Sequence, residues 1–198
     1  MRKIAFAAAA AALSLGLPSA AQAQKTPAAI VVVVNTDQVY RDCTACRAAQ
    51  TQIQGLVTSA RTRATELGEP LQTEAQSIEQ AGTALRSQSG ASRTAAETAL
   101  NARVAAFQQR QTSAQQEVSR LEQNVQSVQS NVLRQINERL DPVIAQVMTA
   151  HGANLALDVN ATLARSTALD VTAEVLAALN TALPSVSVTP LPTPAATQ

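Results

Sequence analysis

Apolar residues recur in steps of four and three at Leu100, Val104, Phe107, Ala114, Val118, Leu121, Val125, Val128, Val132, Ile136, Leu140, Val143 and Val147. Gln111 alone interrupts the series. This is heptad spacing, the pattern that lets one helix lie along another in a coiled coil. Gln, Ser, Glu, Arg and Asn fill most of the intervening positions, so the seam is narrow and the rest of the helix faces water. Such a helix needs a partner. The chain supplies one in a second, more alanine-rich seam: Cys46, Ala49, Ile53, Leu56, Ala60, Ala64, Leu67, Leu71, Ala75, Ile78, Ala81 and Leu85. Between the two seams lies only Ser87-Gln88-Ser89-Gly90-Ala91-Ser92, with Gly90 suited to a tight turn. Two long helices joined so closely must run antiparallel, which predicts a helical hairpin over residues 43–150 with its tip near 87–93. At 1.5 Å per residue its two limbs are roughly 65 Å and 85 Å long. Pro70 and Pro142 are expected to bend them.

The ends of the chain read differently. Arg2 and Lys3, the apolar run from Ile4 to Leu17 and the small-residue site Ala21-Gln22-Ala23 form a secretory signal peptide over residues 1–23. Removing it takes the net charge from +1 to −1, and Lys25 is then the only lysine. That balance argues against nucleic acid, whose binding rests on clustered cations. Aromatic content of 2% is too low for a conventional globular core of this length and fits an elongated helical protein.

Ile30 to Val34 are five consecutive β-branched residues, a strand buried on both faces. Asn35, Thr36 and Asp37 can cap the helix that follows. After His151-Gly152, Leu155 to Val159 reads as a strand, Thr162 to Ser166 as a third strand or a loop, and Asp170 or Thr172 as the cap of a last helix. Pro184 ends that helix, and the Pro-rich segment 184–198 is expected to be disordered. The fold class is therefore mostly α, with a long antiparallel hairpin projecting from a small α+β body made of residues 24–42 and 151–183. So small a body has too little interior to bury its strand on both faces, which predicts oligomerisation. The residues expected to carry it are Ile30, Val31, Val32, Val33, Val34, Leu155, Leu157, Val159, Val171, Val175, Leu176 and Leu179.

Reactive chemistry is sparse. Cys43-Thr44-Ala45-Cys46 could be a redox dithiol at a helix start, a structural disulfide within or between chains, or a pair of packed thiols. Arg47 stands where a haem-attachment motif needs histidine. His151 suits a helix C-terminus, and Asp158 and Asp170 suit turns and caps. With no nucleophile, glycine-rich phosphate loop or ligand cluster beside them, no catalytic residue, cofactor or metal is expected, nor is enzyme activity. Along the arms, arginines such as Arg63, Arg110 and Arg134 alternate with glutamates such as Glu74, Glu117 and Glu138, a mixed and adaptable surface.

The order of strand, long hairpin, strand and short helix resembles the OmpH/Skp family of periplasmic chaperones. The match is carried by Ile30-Val31-Val32-Val33-Val34-Asn35, by Leu155-Ala156-Leu157-Asp158-Val159-Asn160, and above all by Leu169-Asp170-Val171-Thr172-Ala173-Glu174-Val175-Leu176. The resemblance implies a homotrimer in the periplasm. Its arms would form a cage that holds unfolded outer-membrane proteins without ATP, with peripheral contact to a membrane surface. It also leaves a second reading open, a structural or adaptor coiled coil of the envelope. Members are often markedly basic, whereas this chain is near neutral, and the cysteine pair and Pro-rich tail are not carried over from the family.

Overall fold

Extended backbone is what β-branched side chains favour, and in the computed structural model Val31–Val34 form strand β1. The structure describes residues 27–191, so the expected leader lies outside the described residues. Strand β1 pairs in parallel with β2, Leu155–Asp158, in the register Val31 to Leu155 through Val34 to Asp158. A parallel pair needs a crossover connection. Here the crossover is everything between: helix α1 (Thr36–Asp42), α2 (Thr44–Ala84), a 3-10 turn at Leu85–Ser87 and α3 (Gly90–Ala150). Helix α4, Thr172–Ala182, follows β2.

Helices α2 and α3 hold 41 and 61 residues, or about 60 Å and 90 Å at the α-helical rise. They fold back on each other at the expected turn, where Gly90 has φ +61, a conformation open to glycine at little cost. Pro70 and Pro142 both lie inside continuous helices. The carbonyls they leave unbonded one turn earlier belong to exposed Glu66 and Glu138, positions open to solvent.

Side chains at each end of the polypeptide tie the two ends together. Asn154 accepts from the Ile30 amide and donates to the Ala28 carbonyl, both at 2.9 Å. On the other edge of β1, the Val171 amide donates to the Val33 carbonyl at 2.9 Å, and the Thr172 hydroxyl accepts from the Asn35 amide at 2.8 Å. Residues 162–166, read as a third strand or a loop, form a loop.

Two expectations are corrected here. The first concerns burial of the strand. Val32 and Val34 are buried within one chain, against a core that includes Val39, Val171, Val175 and Leu179, and Val33 is buried on the opposite face of the strand. The missing interior comes from the hairpin: α2 contributes Ala45, Cys46, Ala49 and Ile53, and α3 every seam residue from Val128 to Val147. The bases of both long helices therefore belong to the body, and the free arm begins near Ile53 and Val128 instead of at Cys43 and Ala150. Oligomerisation does not follow from an unburied strand. The second correction concerns the tail. Residues 184–191, expected to be disordered, lie along α3 with Val186 and Val188 half-buried against the core.

Asp158, at the end of β2, caps two turns at once. Its carboxylate accepts from the Thr36 hydroxyl and amide at the start of α1, and from the Asn160 amide at 2.7 Å. The Thr36 hydroxyl bond, with the two amides, holds its pKa below the ordinary carboxylate value of 3.8. Asp170 is lowered likewise, first by the Thr172 hydroxyl and then by Arg165. A depressed folded-state pKa adds stability that is complete above the unfolded value and is lost as pH falls through the folded one. Thermal melts should therefore show a constant Tm near neutrality and a decline as pH passes below 3.8. Asp158→Asn should lower the neutral-pH Tm and flatten that decline.

Candidate functional site

Above the body, two helices are all that cover the seam. Between residues 54 and 127 no side chain is fully buried. Leu56, Leu67, Leu71, Val118, Leu121 and Val125 are each half-buried, because a helix pair covers an apolar stripe from one side only.

Both flanks of this seam are open, but only one is crossed by polar braces. There a hollow of about 380 Å³ past Leu67, Leu71 and Ala114 is bridged by side chains: Arg63 Nε donates to Glu117 at 2.8 Å, Arg110 pairs with Glu74, and Arg103 donates to the Ser77 hydroxyl at 2.9 Å. The Arg63 guanidinium holds the Glu117 carboxyl below its usual range, chiefly by that hydrogen bond. These are exposed pairs, so they fix the register of the helices more than they add stability. On the other flank the helices part into an open groove of about 440 Å³, floored by Val57, Ala60, Ala64, Val118, Leu121 and Val125. It runs on toward the tip as a second hollow of about 370 Å³ past Leu67, Leu71 and Ala114. The groove is apolar below and rimmed by Arg61, Glu122 and glutamines, which suits loose contact with an apolar, extended guest.

The residues expected to carry assembly fall into two groups. Val32, Val33, Val34, Val171, Val175 and Leu179 form the core of a single chain and are closed to a neighbouring subunit. Ile30 and Leu155 remain exposed, and Val31, Leu157, Val159 and Leu176 are half-buried. Ile30 and Leu155 are neighbours, the Leu155 amide donating to the Ile30 carbonyl at 3.2 Å. The outer edge of β2 has no strand beside it among the described residues, and the loop beyond it carries a fully exposed Leu163. Sequence reasoning missed Leu163 because it lies in no periodic segment.

Cys43 and Cys46 are joined in one disulfide at the junction of α1 and α2. Cys43 is 0% and Cys46 6% exposed, and only Cys46 borders surface hollows, beside Tyr40 and Gln50, so any approach by the attacking thiolate that exchange requires is confined to Cys46. The protein run on a denaturing gel should migrate as one chain with or without reductant; a reductant-sensitive dimer would show that the cysteines pair between chains. His151 Nε2 lies 2.7 Å from Glu174, joining the end of α3 to α4. Among the described residues no cluster of three or more His, Cys, Asp or Glu could hold a metal ion, and no helix is long and apolar enough to cross a membrane.

The family described as outer membrane protein (OmpH-like) matches residues 30–179, from the first strand to the last helix. This chain belongs to the OmpH-like family. The match spans both strands and both limbs of the hairpin, so the OmpH-like assignment covers the body and the arm together. No curated protein matches the chain. Among solved structures, an OmpH-like protein of Caulobacter crescentus CB15, assigned as an outer membrane chaperone, is similar at 19% identity with a TM-score of 0.56. The similarity covers 85% of this OmpH-like chain and 94% of the other. At that identity it shows a shared fold: the mostly α architecture, with long helices and a small sheet.

Proposed function

We propose that this chain is an exported, ATP-independent holdase of the periplasm that keeps outer-membrane proteins unfolded on their way to the outer membrane, acting as a homotrimer. Family membership supports the client class, since the Caulobacter relative is assigned as an outer membrane chaperone. The observation that carries the reading is the arm itself, in which no side chain between residues 54 and 127 is fully buried. A helix pair built only to be a strut would gain by covering its seam. One that keeps it half-open can exchange many weak contacts with an unfolded chain, which lowers that chain's free energy only while it stays unfolded. Ile30, Leu155, Leu163 and the free edge of β2 are the surfaces left for assembly, through strand addition or apolar packing.

Two measurements test this. Multi-angle light scattering of the mature protein should give three times the chain mass, and a monomer at micromolar concentration would overturn the trimer. Without nucleotide, a stoichiometric amount should keep a urea-diluted β-barrel protein from aggregating; unchanged aggregation would overturn the holdase. Unrelated unfolded barrels should compete with one another. An adaptor coiled coil would show no such competition.

A further inference from the structure

Residues 184–191 leave α4 and run up α3 toward the tip of the arm, and the contacts they make form a ladder. The Gln135 side chain takes both backbone groups of Ser187, its Oε1 accepting from the amide and its Nε2 donating to the carbonyl, each at 2.9 Å. Asn131 Nδ2 donates to the Thr189 carbonyl at 2.9 Å, and the Ser127 hydroxyl accepts from the Leu191 amide at 2.9 Å. The rungs are four residues apart on the helix and two apart on the strap. Four helical residues rise about 6 Å and two extended residues about 6.5 Å, so the ladder stays in register. Asn131 is a buried polar residue in this contact, held from its other side by Arg134 at 2.9 Å.

All three rungs of α3 meet the main chain of the strap. The strap's side chains alternate instead, Val186 and Val188 inward and Ser185, Ser187 and Thr189 outward. A site that reads backbone amides and carbonyls, with shallow apolar space for every second residue, is the side-chain counterpart of a sheet edge. Its ligand class is an extended polypeptide of alternating apolar and polar residues, the pattern of an unfolded membrane β-strand.

We infer that Ser127, Asn131 and Gln135 form a sequence-tolerant site for such extended client segments, and that residues 184–191 are a built-in competitor occupying it at rest. The inference rests on the holdase reading for the identity of the client, but not for the existence of the site. If the strap is seated about nine-tenths of the time, it weakens apparent affinity about tenfold.

The probe is a fluorescent peptide with the sequence of residues 184–198, measured by anisotropy. It should bind full-length mature protein carrying Val186→Asp and Val188→Asp about tenfold more tightly than wild type, because the strap is displaced. Adding Asn131→Ala and Gln135→Ala should abolish that gain. Equal affinity for wild type and strap-released protein, or indifference to the α3 substitutions, would overturn the site. If circular dichroism shows the Val→Asp protein unfolded, a chain ending at Leu183 replaces it with the same expectations. A urea-unfolded β-barrel should displace the peptide. A barrel that is held without displacing the peptide overturns the client role of this site and leaves the holdase standing. Peptide binding by a protein that holds no barrel upholds the site and overturns the holdase.

Discussion

Replacing Leu179 by alanine should be among the most damaging single changes to the fold, lowering stability by about 2–5 kcal/mol. Leu179 is the largest wholly enclosed side chain, 0% exposed, on the face of α4 that closes over the core. The core cluster it belongs to is drawn from β1, α1, the bases of α2 and α3, and α4 itself, and α4 packs on α3, α1 and β1. Such a site cannot collapse around a cavity without moving an element, so the cost falls toward the upper half of the range. At the roughly 2–4 °C per kcal/mol typical of chains this long, Tm should fall by about 7–20 °C. Calorimetry of the variant at one fixed protein concentration checks this, since any assembly makes Tm depend on concentration. A shift of no more than a degree or so would mean that α4 is not part of the core.

The second large effect concerns assembly. Leu155→Glu combined with Leu163→Glu should convert the proposed trimer to monomers while leaving the secondary structure of each chain intact. Both leucines are exposed in the single chain, so glutamate at either position meets water and costs the monomer little. In an assembled state that covers them, the same glutamates would be desolvated beside apolar partners, a penalty of several kcal/mol that no interface of ordinary size absorbs. Light scattering should show the mass drop and far-UV circular dichroism should not change. Retention of the assembled mass would place the interface elsewhere on the body. Arg63→Ala is the contrasting case, since the pair it breaks is exposed and screened by solvent, and its loss should leave Tm almost unchanged.

The hairpin was legible because its signal is local and repeated: the two seams fix the helices, and Ser87 to Ser92 admits only a tight reversal. The parallel pairing of β1 with β2 was legible as two apolar runs, although their register is set by contacts 124 residues apart, such as Ile30 with Asn154. How the core is shared was not legible. Heptad periodicity looks the same whether a seam residue meets one helix or a whole body, so Val128 to Val147 read as arm although they line the core. The tail was misread for a related reason. Proline content argues against helix and sheet, but an extended strap needs neither: Ser187 and Thr189 find partners in Gln135 and Asn131, and the alternation Ser185-Val186-Ser187-Val188 was the available signal. Which flank of the arm Arg63, Arg103 and Arg110 brace follows from the pairing of two helices, not from either sequence alone.

On the proposed function, the half-open seam of the arm is where an unfolded outer-membrane protein rests. A photo-crosslinking residue placed singly at Leu121, on the floor of the groove, and at Gln116, exposed on α3 and lining neither hollow of the arm, tests it directly. With a urea-diluted β-barrel present, the position-121 adduct should dominate, and it should disappear once the barrel has folded into detergent micelles. Adducts of equal yield from both positions, or adducts that persist with the folded barrel, would contradict the assignment of the groove to the unfolded client.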